Sequence, residues 1–259
     1  MDKSSASIEI IPLPAFSDNY LWLIQSGSLA WVVDPGDADV VEEALSKREL
    51  SLKGILLTHH HADHVGGAAS LQKHWRCLVY APDSSQPSYQ AMQTIPVHAG
   101  DTISLLPEDI ISCEVLSLPG HTLDHVAYYV NQQHLFSGDV LFGAGCGRLF
   151  EGTPVQMYAS LQQIAALPPE TLVYPAHEYT AHNLAFAQTI EPDNRALLQR
   201  IATTRELRHQ QRPSLPTSLA QELATNPFLR CEQLRLRPEF QSRSALEVFT
   251  EIRTRRNDF

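Results

Sequence analysis

The stretch KGILLTHHHADHVGG, residues 53–67, contains the pattern from which the fold can be inferred. Its apolar beginning predicts a short buried strand, and the histidines that follow predict a loop at the end of that strand. In an extended chain, residues two apart point to the same side, so His59 and His61 can chelate one metal ion. Asp63 and His64, in the turn beyond, then face another ion. Two ions need more ligands than these four, so the rest of the chain must supply them.

Further ligands are available at the ends of three other predicted strands. These are His121 in LPGHT, Asp139 in FSGD and His177 in YPAHEYT. Asp139 is the best candidate for a bridging ligand, because a carboxylate has two oxygens whereas an imidazole binds one ion. Nitrogen and carboxylate ligands without thiolates favour zinc, iron or manganese and do not choose among them.

The arrangement of strands and helices predicts an α/β domain followed by a helical domain. Short apolar runs alternate with helical patterns such as ADVVEEALSKREL and PVQMYASLQQIAAL. From about Thr180 the strand signals stop and helical spacing continues. We therefore place the domains at residues 1–178 and 179–259.

The composition limits the classes of partner. A chain of 259 residues, 43% hydrophobic, can bury a large core, and a net charge of -10 argues against nucleic acid and anionic membranes as partners. Four scattered cysteines suit a reducing compartment. The beginning, MDKSSASIEIIPLP, lacks an apolar run behind a basic start, and no segment approaches a membrane span. We expect a cytoplasmic protein.

Several motifs together resemble a known family. HxHxDH followed by separate histidine, aspartate and histidine ligands resembles the metallo-β-lactamase superfamily. Additional segments resemble one branch, the hydroxyacylglutathione hydrolase or glyoxalase II family: FSDNY, VVDPGDA, THHHADHVGG, PGHT, GCGRLFEGT, PAHEYT, NPFLR and RTRRNDF. They extend over nearly the whole chain. GCGRLFEGT with the basic carboxyl terminus is far more specific than HxHxDH, which indicates only the superfamily.

The resemblance implies an α/β fold, the αββα metallo-β-lactamase sandwich, with a helical C-terminal substrate-binding domain. It implies two divalent metal ions, zinc first. One ion would be held by His59, His61, His121 and Asp139. The other would be held by Asp63, His64, Asp139 and His177. The implied reaction is hydrolysis of the thioester S-D-lactoylglutathione to glutathione and D-lactate, in methylglyoxal detoxification, by a monomer.

This chemistry agrees with the residues present. Water bound between two cations has its pKa lowered from 15.7 toward about 7, so metal-bound hydroxide is available at neutral pH. The sequence contains no GxSxG nucleophile elbow, so a covalent serine mechanism has no support.

The resemblance also implies a glutathione site at Arg148, Phe150, Tyr179, Arg253 and Arg256. On a helix, the last two arginines continue an apolar stripe and can meet the carboxylates of glutathione. The alternative is a solvated basic helix end favoured by the helix dipole.

Two positions depart from the family pattern. Phe150 stands where tyrosine is frequent, and Asp124 stands where glycine is common. Asp124 is either a support for a histidine or a solvated turn residue. Two other functions remain open: an iron-dependent glutathione persulfide dioxygenase and a non-enzymatic metal-binding scaffold.

Overall fold

The computed structural model describes residues 8–105 and 111–259, which form two compact units. The first unit contains the described residues up to Ser117 together with Asp124–Gly138, and the second contains Leu118–Leu123 and Asp139–Phe259. Residues 1–7, which carry part of the expectation about a leader segment, lie outside the described residues.

The first unit contains two sheets and three helices among its described residues. Its strands are β1 (Glu9–Ala15), β2 (Asn19–Ser26), β3 (Leu29–Val33), β4 (Ser51–Leu56), β5 (Leu78–Pro82), β6 (Ile95–Val97), β7 (Thr102–Ser104), β8 (Ser112–Ser117), β9 (Val126–Val130) and β10 (His134–Gly138). Its helices are α1 (Ala38–Arg48), α2 (Ala62–Val65) and α3 (Ala68–Trp75).

The first sheet has the order β1-β2-β3-β4-β5-β6. Its first three strands pair antiparallel, whereas β3 to β6 pair parallel, with α1 and α3 as crossovers. The carboxyl ends of parallel neighbours meet at the same edge of a sheet. Asp34 follows β3 and Thr58 follows β4, so the parallel pairing brings these two residues to the same edge.

The second sheet of this unit is an antiparallel meander, β7-β8-β9-β10. It packs on the first sheet, since buried Tyr128 in β9 donates a hydrogen bond to the Leu57 carbonyl at 2.9 Å. Helix α1 covers the first sheet with Val41 and Leu45, and the Asp37 carboxylate caps its amino terminus.

The second unit is mostly helical. Its elements are β11 (Leu141–Phe142), β12 (Gly145–Cys146), α4 (Pro154–Ala165), β13 (Leu172–Pro175), α5 (Thr180–Ile190), α6 (Arg195–His209), β14 (Thr217–Ser218), α7 (Leu219–Thr225), α8 (Cys231–Leu234) and α9 (Ala245–Asn257). Capping boxes begin α4 at Thr153 and α9 at Ser244, because each cap side chain bonds the third residue of its helix. Within the described part of the chain, no helix combines the length and apolar character that crossing a bilayer requires.

The predicted α/β architecture with a helical carboxyl-terminal region is confirmed, and some local predictions are wrong. β14 lies in the segment that was predicted to lack strands, where it pairs with β13. Asp63 and His64 lie in the short helix α2 and not in a turn. Such short elements have too few residues for a readable period, so tertiary contacts decide them.

Candidate metal ligands and a basic cavity

The histidine run, residues 58–64, begins at a point where the chain is firmly held. The Thr58 backbone N–H and hydroxyl both donate to the Asp34 carboxylate, at 2.7 and 2.6 Å. The Val126 N–H donates to the Thr58 carbonyl at 2.9 Å. Asp34 is buried, so these donors take the place of the water that would otherwise solvate its carboxylate.

Asp34 also determines which ring nitrogen carries the proton in two predicted ligands. An ionised carboxylate only accepts hydrogen bonds, so His64 Nδ1, 2.9 Å from Asp34, carries the proton. The Thr58 hydroxyl gives its hydrogen to Asp34 and therefore accepts from His59 Nδ1, 3.0 Å away. In both histidines this leaves the Nε2 lone pair available for a metal ion.

Within each predicted ligand pair of the histidine run, the two side chains lie close together. His59 Nε2 and His61 Nδ1 lie 3.0 Å apart. Two nitrogens of a tetrahedral zinc site are separated by roughly 3.4 Å, given Zn–N bonds of about 2.1 Å. Asp63 Oδ2 lies 3.5 Å from His64 Nε2 and accepts a hydrogen bond from Asn19 Nδ2 at 3.0 Å.

Three residues that contact the predicted ligands of the histidine run were not predicted from the sequence, namely Asp34, Asn19 and His125. Asp34 in VVDPG and Asn19 in FSDNY belong to motifs that carry the resemblance, and their positions just after a strand and at the start of one were the available signals. His125 stacks on His59 with ring centroids 4.9 Å apart, and no sequence signal indicates this contact.

Asp124 supports a histidine, although not one of the predicted ligands. Its carboxylate oxygens lie 3.2 and 3.3 Å from His60 Nδ1. The Asp124 side chain is only 12% exposed, so it is not a solvated turn residue. Of the two interpretations left open, support for a histidine is therefore the one observed, at His60.

The second unit brings three predicted ligands together although they are far apart in sequence. Asp139 Oδ2 lies 3.3 Å from His121 Nε2, and Asp139 Oδ1 lies 3.5 Å from His177 Nε2. All three residues are buried. Each carboxylate oxygen thus faces a different imidazole, the arrangement that a bridging carboxylate needs.

Backbone contacts of the GCGR segment, residues 145–148, orient two of these predicted ligands. His121 Nδ1 donates to the Arg148 carbonyl at 2.8 Å, so its Nε2 is the unprotonated nitrogen, which is the form that binds a metal ion. At Gly147, a Cβ atom would lie 1.9 Å from the Asp139 carbonyl oxygen, so only glycine permits this approach.

A cavity of about 400 Å³ lies within the second unit. His121 and Asp139 form part of its wall. All of the predicted substrate contacts line it: Arg148, Phe150, Tyr179, Arg253 and Arg256. The lining residues that were not predicted are Phe142, Cys146, His182 and Asn183. The cavity therefore combines metal-ligand donors with cationic side chains.

The arginines of the cavity crowd positive charge into a small space. Burial, together with the charges of Arg253 and Arg148, lowers the pKa of Arg256. An arginine does not lose its proton in proteins, so the repulsion is relieved by an anion instead. The cavity is thus suited to a ligand with carboxylates.

Arg253 and Arg256 are held differently. Arg253 is buried, donates to the Cys146 carbonyl and to Asn257 Oδ1, both at 2.9 Å, and lies over the Phe228 ring. Arg256 is half-buried and bonds Asn183 Oδ1 at 3.1 Å. A solvated basic helix end does not describe either arginine.

Aromatic rings flank the ligands of this unit. Tyr179 stacks on His177 with ring centroids 4.8 Å apart and an interplanar angle of 4°. Phe150 meets His121 edge-on at 5.2 Å and remains 64% exposed. The absent hydroxyl of Phe150 therefore leaves an apolar wall beside the predicted ligand His121.

Two family models match consecutive parts of the chain. "Metallo-beta-lactamase superfamily" matches residues 16–177, and "Hydroxyacylglutathione hydrolase C-terminus" matches residues 178–259. A hydroxyacylglutathione hydrolase of Methylobacillus flagellatus is 53% identical over 97% of this chain and 99% of its own length. One of Dechloromonas aromatica is 46% identical over 97% of this chain and its full length, 100%. This chain belongs to the hydroxyacylglutathione hydrolase family.

Solved structures agree on the fold. ETHE1 from Myxococcus xanthus is similar with a TM-score of 0.66 at 24% identity, over 96% of this chain and 90% of that one. TTHA1623, solved in a di-iron-bound form, has a TM-score of 0.61 at 28% identity, over 85% of this chain and 100% of that one. The predicted metallo-β-lactamase fold is therefore confirmed, and the donors described above can serve a pair of metal ions.

Proposed function

We propose that this chain hydrolyses S-D-lactoylglutathione to glutathione and D-lactate, as a step in methylglyoxal detoxification. The observation that carries the proposal is the cavity in which His121 and Asp139 share a wall with Arg148, Arg253 and Arg256. Metal donors beside arginines suit a substrate that has a carbonyl to be attacked and carboxylates to be held. Membership of the hydroxyacylglutathione hydrolase family supports the same substrate.

We further propose that two divalent metal ions are bound, zinc in the first place, with iron or manganese able to use the same donors. One ion is assigned to His59, His61, His121 and Asp139. The other is assigned to Asp63, His64, Asp139 and His177. The fit rests on the unprotonated Nε2 atoms of His59, His64 and His121 and on the two separately directed oxygens of Asp139.

When bound, such ions lower the pKa of water to supply a nucleophile and polarise the thioester carbonyl. The residues of the chain do the remaining work. Arg148 uses its carbonyl to orient His121 and offers its guanidinium to the cavity. Phe150 and Tyr179 place aromatic rings against His121 and His177, two of the proposed ligands. Arg256 meets a substrate carboxylate, since it is exposed enough to reach one.

We also propose the roles of the two domains, the cellular compartment, the oligomeric state and the classes of partner. Residues 1–178 form the catalytic domain and 179–259 the substrate-binding domain. The protein acts in the cytoplasm as a monomer and binds neither nucleic acid nor membrane. The four cysteines, all free and buried, suit a reducing compartment, and the net charge of -10 opposes binding to polyanions.

The test is to load the purified protein with zinc, iron or manganese and to follow thiol release from S-D-lactoylglutathione. We expect turnover that chelation abolishes and that the returned metal restores. A folded, metal-loaded protein without thiol release contradicts the proposal. Oxygen uptake with glutathione persulfide would instead support the dioxygenase, and no turnover with either substrate would support the scaffold.

A further inference from the structure

The hairpin formed by β11 and β12, residues 141–146, supplies two cavity-lining residues and leads into Arg148, whose carbonyl orients His121. Its turn residue Ala144 has φ 54, in the left-handed region that side chains with a Cβ adopt only when the surroundings impose it. The conformation of the hairpin therefore depends on contacts from elsewhere in the unit.

Two buried side chains provide such contacts, one in α7 and one on the residue that follows it. Glu222 Oε2 accepts the Ala144 N–H at 2.9 Å. Asn226 Nδ2 donates to the Gly145 carbonyl and to Glu222 Oε2, both at 3.0 Å. Glu222 and Asn226 are fully buried, so these bonds are protected from water.

The charge of Glu222 is balanced by Arg200, which is also buried and donates to Glu222 Oε1. The same guanidinium donates to Thr225 Oγ1 at 2.6 Å and Thr217 Oγ1 at 3.2 Å. A buried ion pair rarely stabilises a fold more than apolar side chains of the same volume would. Stability alone therefore gives little reason for this pair, whereas a specific backbone conformation does.

We propose that Glu222, Asn226 and Arg200 are positioning residues of the active site. This inference rests on the proposed function. The network of Glu222, Asn226 and Arg200 fixes the backbone conformation of the hairpin, and this conformation directs the hairpin carbonyls toward the side chains that bond them. One is the Cys146 carbonyl, which receives Arg253 at 2.9 Å. The helical region thus supplies residues that line the cavity and also residues that hold the cavity-lining hairpin without lining the cavity themselves.

The reach of the network follows from the short distance along the chain. Ala144 precedes Cys146 by two residues and Arg148 by four, so a shift at the turn is transmitted through the backbone to both carbonyls. Arg253 would then lose the acceptor that aims it. Misplacement of a binding group by about 1 Å weakens orientation strongly, even when the change lies outside the cavity.

Glu222→Gln tests the proposal. One carboxylate oxygen becomes an NH₂ group, so a donor faces either Arg200 or the Ala144 N–H. With S-D-lactoylglutathione, we expect KM to rise about tenfold while kcat changes less than about threefold. A purely structural role would reduce the active fraction, which lowers the apparent kcat and leaves KM unchanged.

The matched control is Glu191→Gln. Glu191 pairs with Arg230 at 2.8 and 3.0 Å in the same helical region and, among the described residues, bonds no atom of the hairpin. We expect a lower unfolding midpoint and the wild-type KM. Unchanged KM in Glu222→Gln, or an equal rise in both variants, would overturn the proposal.

A milder variant tests the proposal if Glu222→Gln folds poorly. Arg200→Lys keeps a positive charge beside Glu222 but loses the bonds to both threonines, so a smaller rise of KM in the same direction is expected. Glutathione affinity, measured by calorimetry on each variant, separates the two proposals. Failure of wild-type turnover contradicts the proposed function, whereas unaltered glutathione affinity in both Glu222→Gln and Arg200→Lys contradicts the positioning role.

Discussion

The histidine run and the GCGR segment both support predicted metal ligands, but they do so by different means. In the histidine run, one buried carboxylate, Asp34, orients His59 through Thr58 and His64 directly. In the GCGR segment, the supports are backbone atoms, namely the Arg148 carbonyl on His121 and the close approach allowed by a glycine. A supporting side chain can be removed by one conservative substitution. A supporting backbone carbonyl cannot be substituted, so it can be disturbed only by changing the side chains that hold that backbone segment in place.

The largest effect is expected from Asp34→Asn. The new amide nitrogen would donate to His64 Nδ1, which moves the ring proton to Nε2 and blocks the lone pair proposed to bind metal. We expect a loss of roughly 10–100-fold in metal affinity or activity. Metal content after dialysis and kcat/KM provide the measurements. Full metal content with wild-type activity would mean that Asp34 does not set the ring orientation.

Arg253→Lys examines the other region at its substrate side. Lysine keeps the charge but cannot bond the Cys146 carbonyl and Asn257 together, so its cation is no longer aimed into the cavity. A hydrogen bond from a charged group to a substrate carboxylate contributes about 1.5–3 kcal/mol, so we expect its loss to raise KM at least about tenfold and to lower kcat less. Steady-state kinetics decide the matter, and an unchanged KM would remove Arg253 from substrate binding.

Asp124→Asn is the matched counterpart of Asp34→Asn. It alters a carboxylate–histidine pair of the same unit, but His60 is not a predicted ligand. We expect unfolding to cost about 1 kcal/mol less, with activity within about threefold of wild type. Denaturant unfolding and kcat/KM measure both effects. A loss of metal as large as that from Asp34→Asn would assign His60 a part in metal binding.

The smallest effect is expected at the buried cysteines, which include Cys146 in the GCGR segment and Cys77 in the same unit as the histidine run. Burial raises the pKa of Cys77 from 9.0 to about 11. It also raises the pKa of Cys146, against the opposing charges of Arg253 and Arg256. A raised pKa means that the folded state holds the proton more tightly, so this contribution to stability is present below pH 9 and is lost as pH rises through about 11.

The measurement is alkylation by iodoacetamide followed by intact mass. At neutral pH we expect no labelling of the native protein and four labels after denaturation, because the thiolate is the reactive form. Rapid labelling of native Cys146 would show that the arginines outweigh burial.

Much of the fold and of the ligand set could be predicted because the relevant signals are local. Alternating apolar runs and capping residues indicated most strands and helices, and strand-terminal His121, Asp139 and His177 stood out singly. β14 and the hairpin could not be predicted, since two-residue strands form only when distant residues pair with them. Glu222 and Arg200 had no signal either, because a polar residue on a helix is usually solvated, whereas Asn226 begins NPFLR, one of the motifs that carry the resemblance.

The sequence by itself determined the chemistry of this protein, because histidine, aspartate and arginine are recognisable wherever they stand and their spacing near strand ends is short. Tertiary structure alone decided how those groups are oriented. Ring protons on His64 and His121 follow from Asp34 and from the Arg148 carbonyl, which pairing and packing bring close. The burial that makes Glu222 a positioning candidate likewise exists only in the folded chain, since it depends on residues up to 78 positions away.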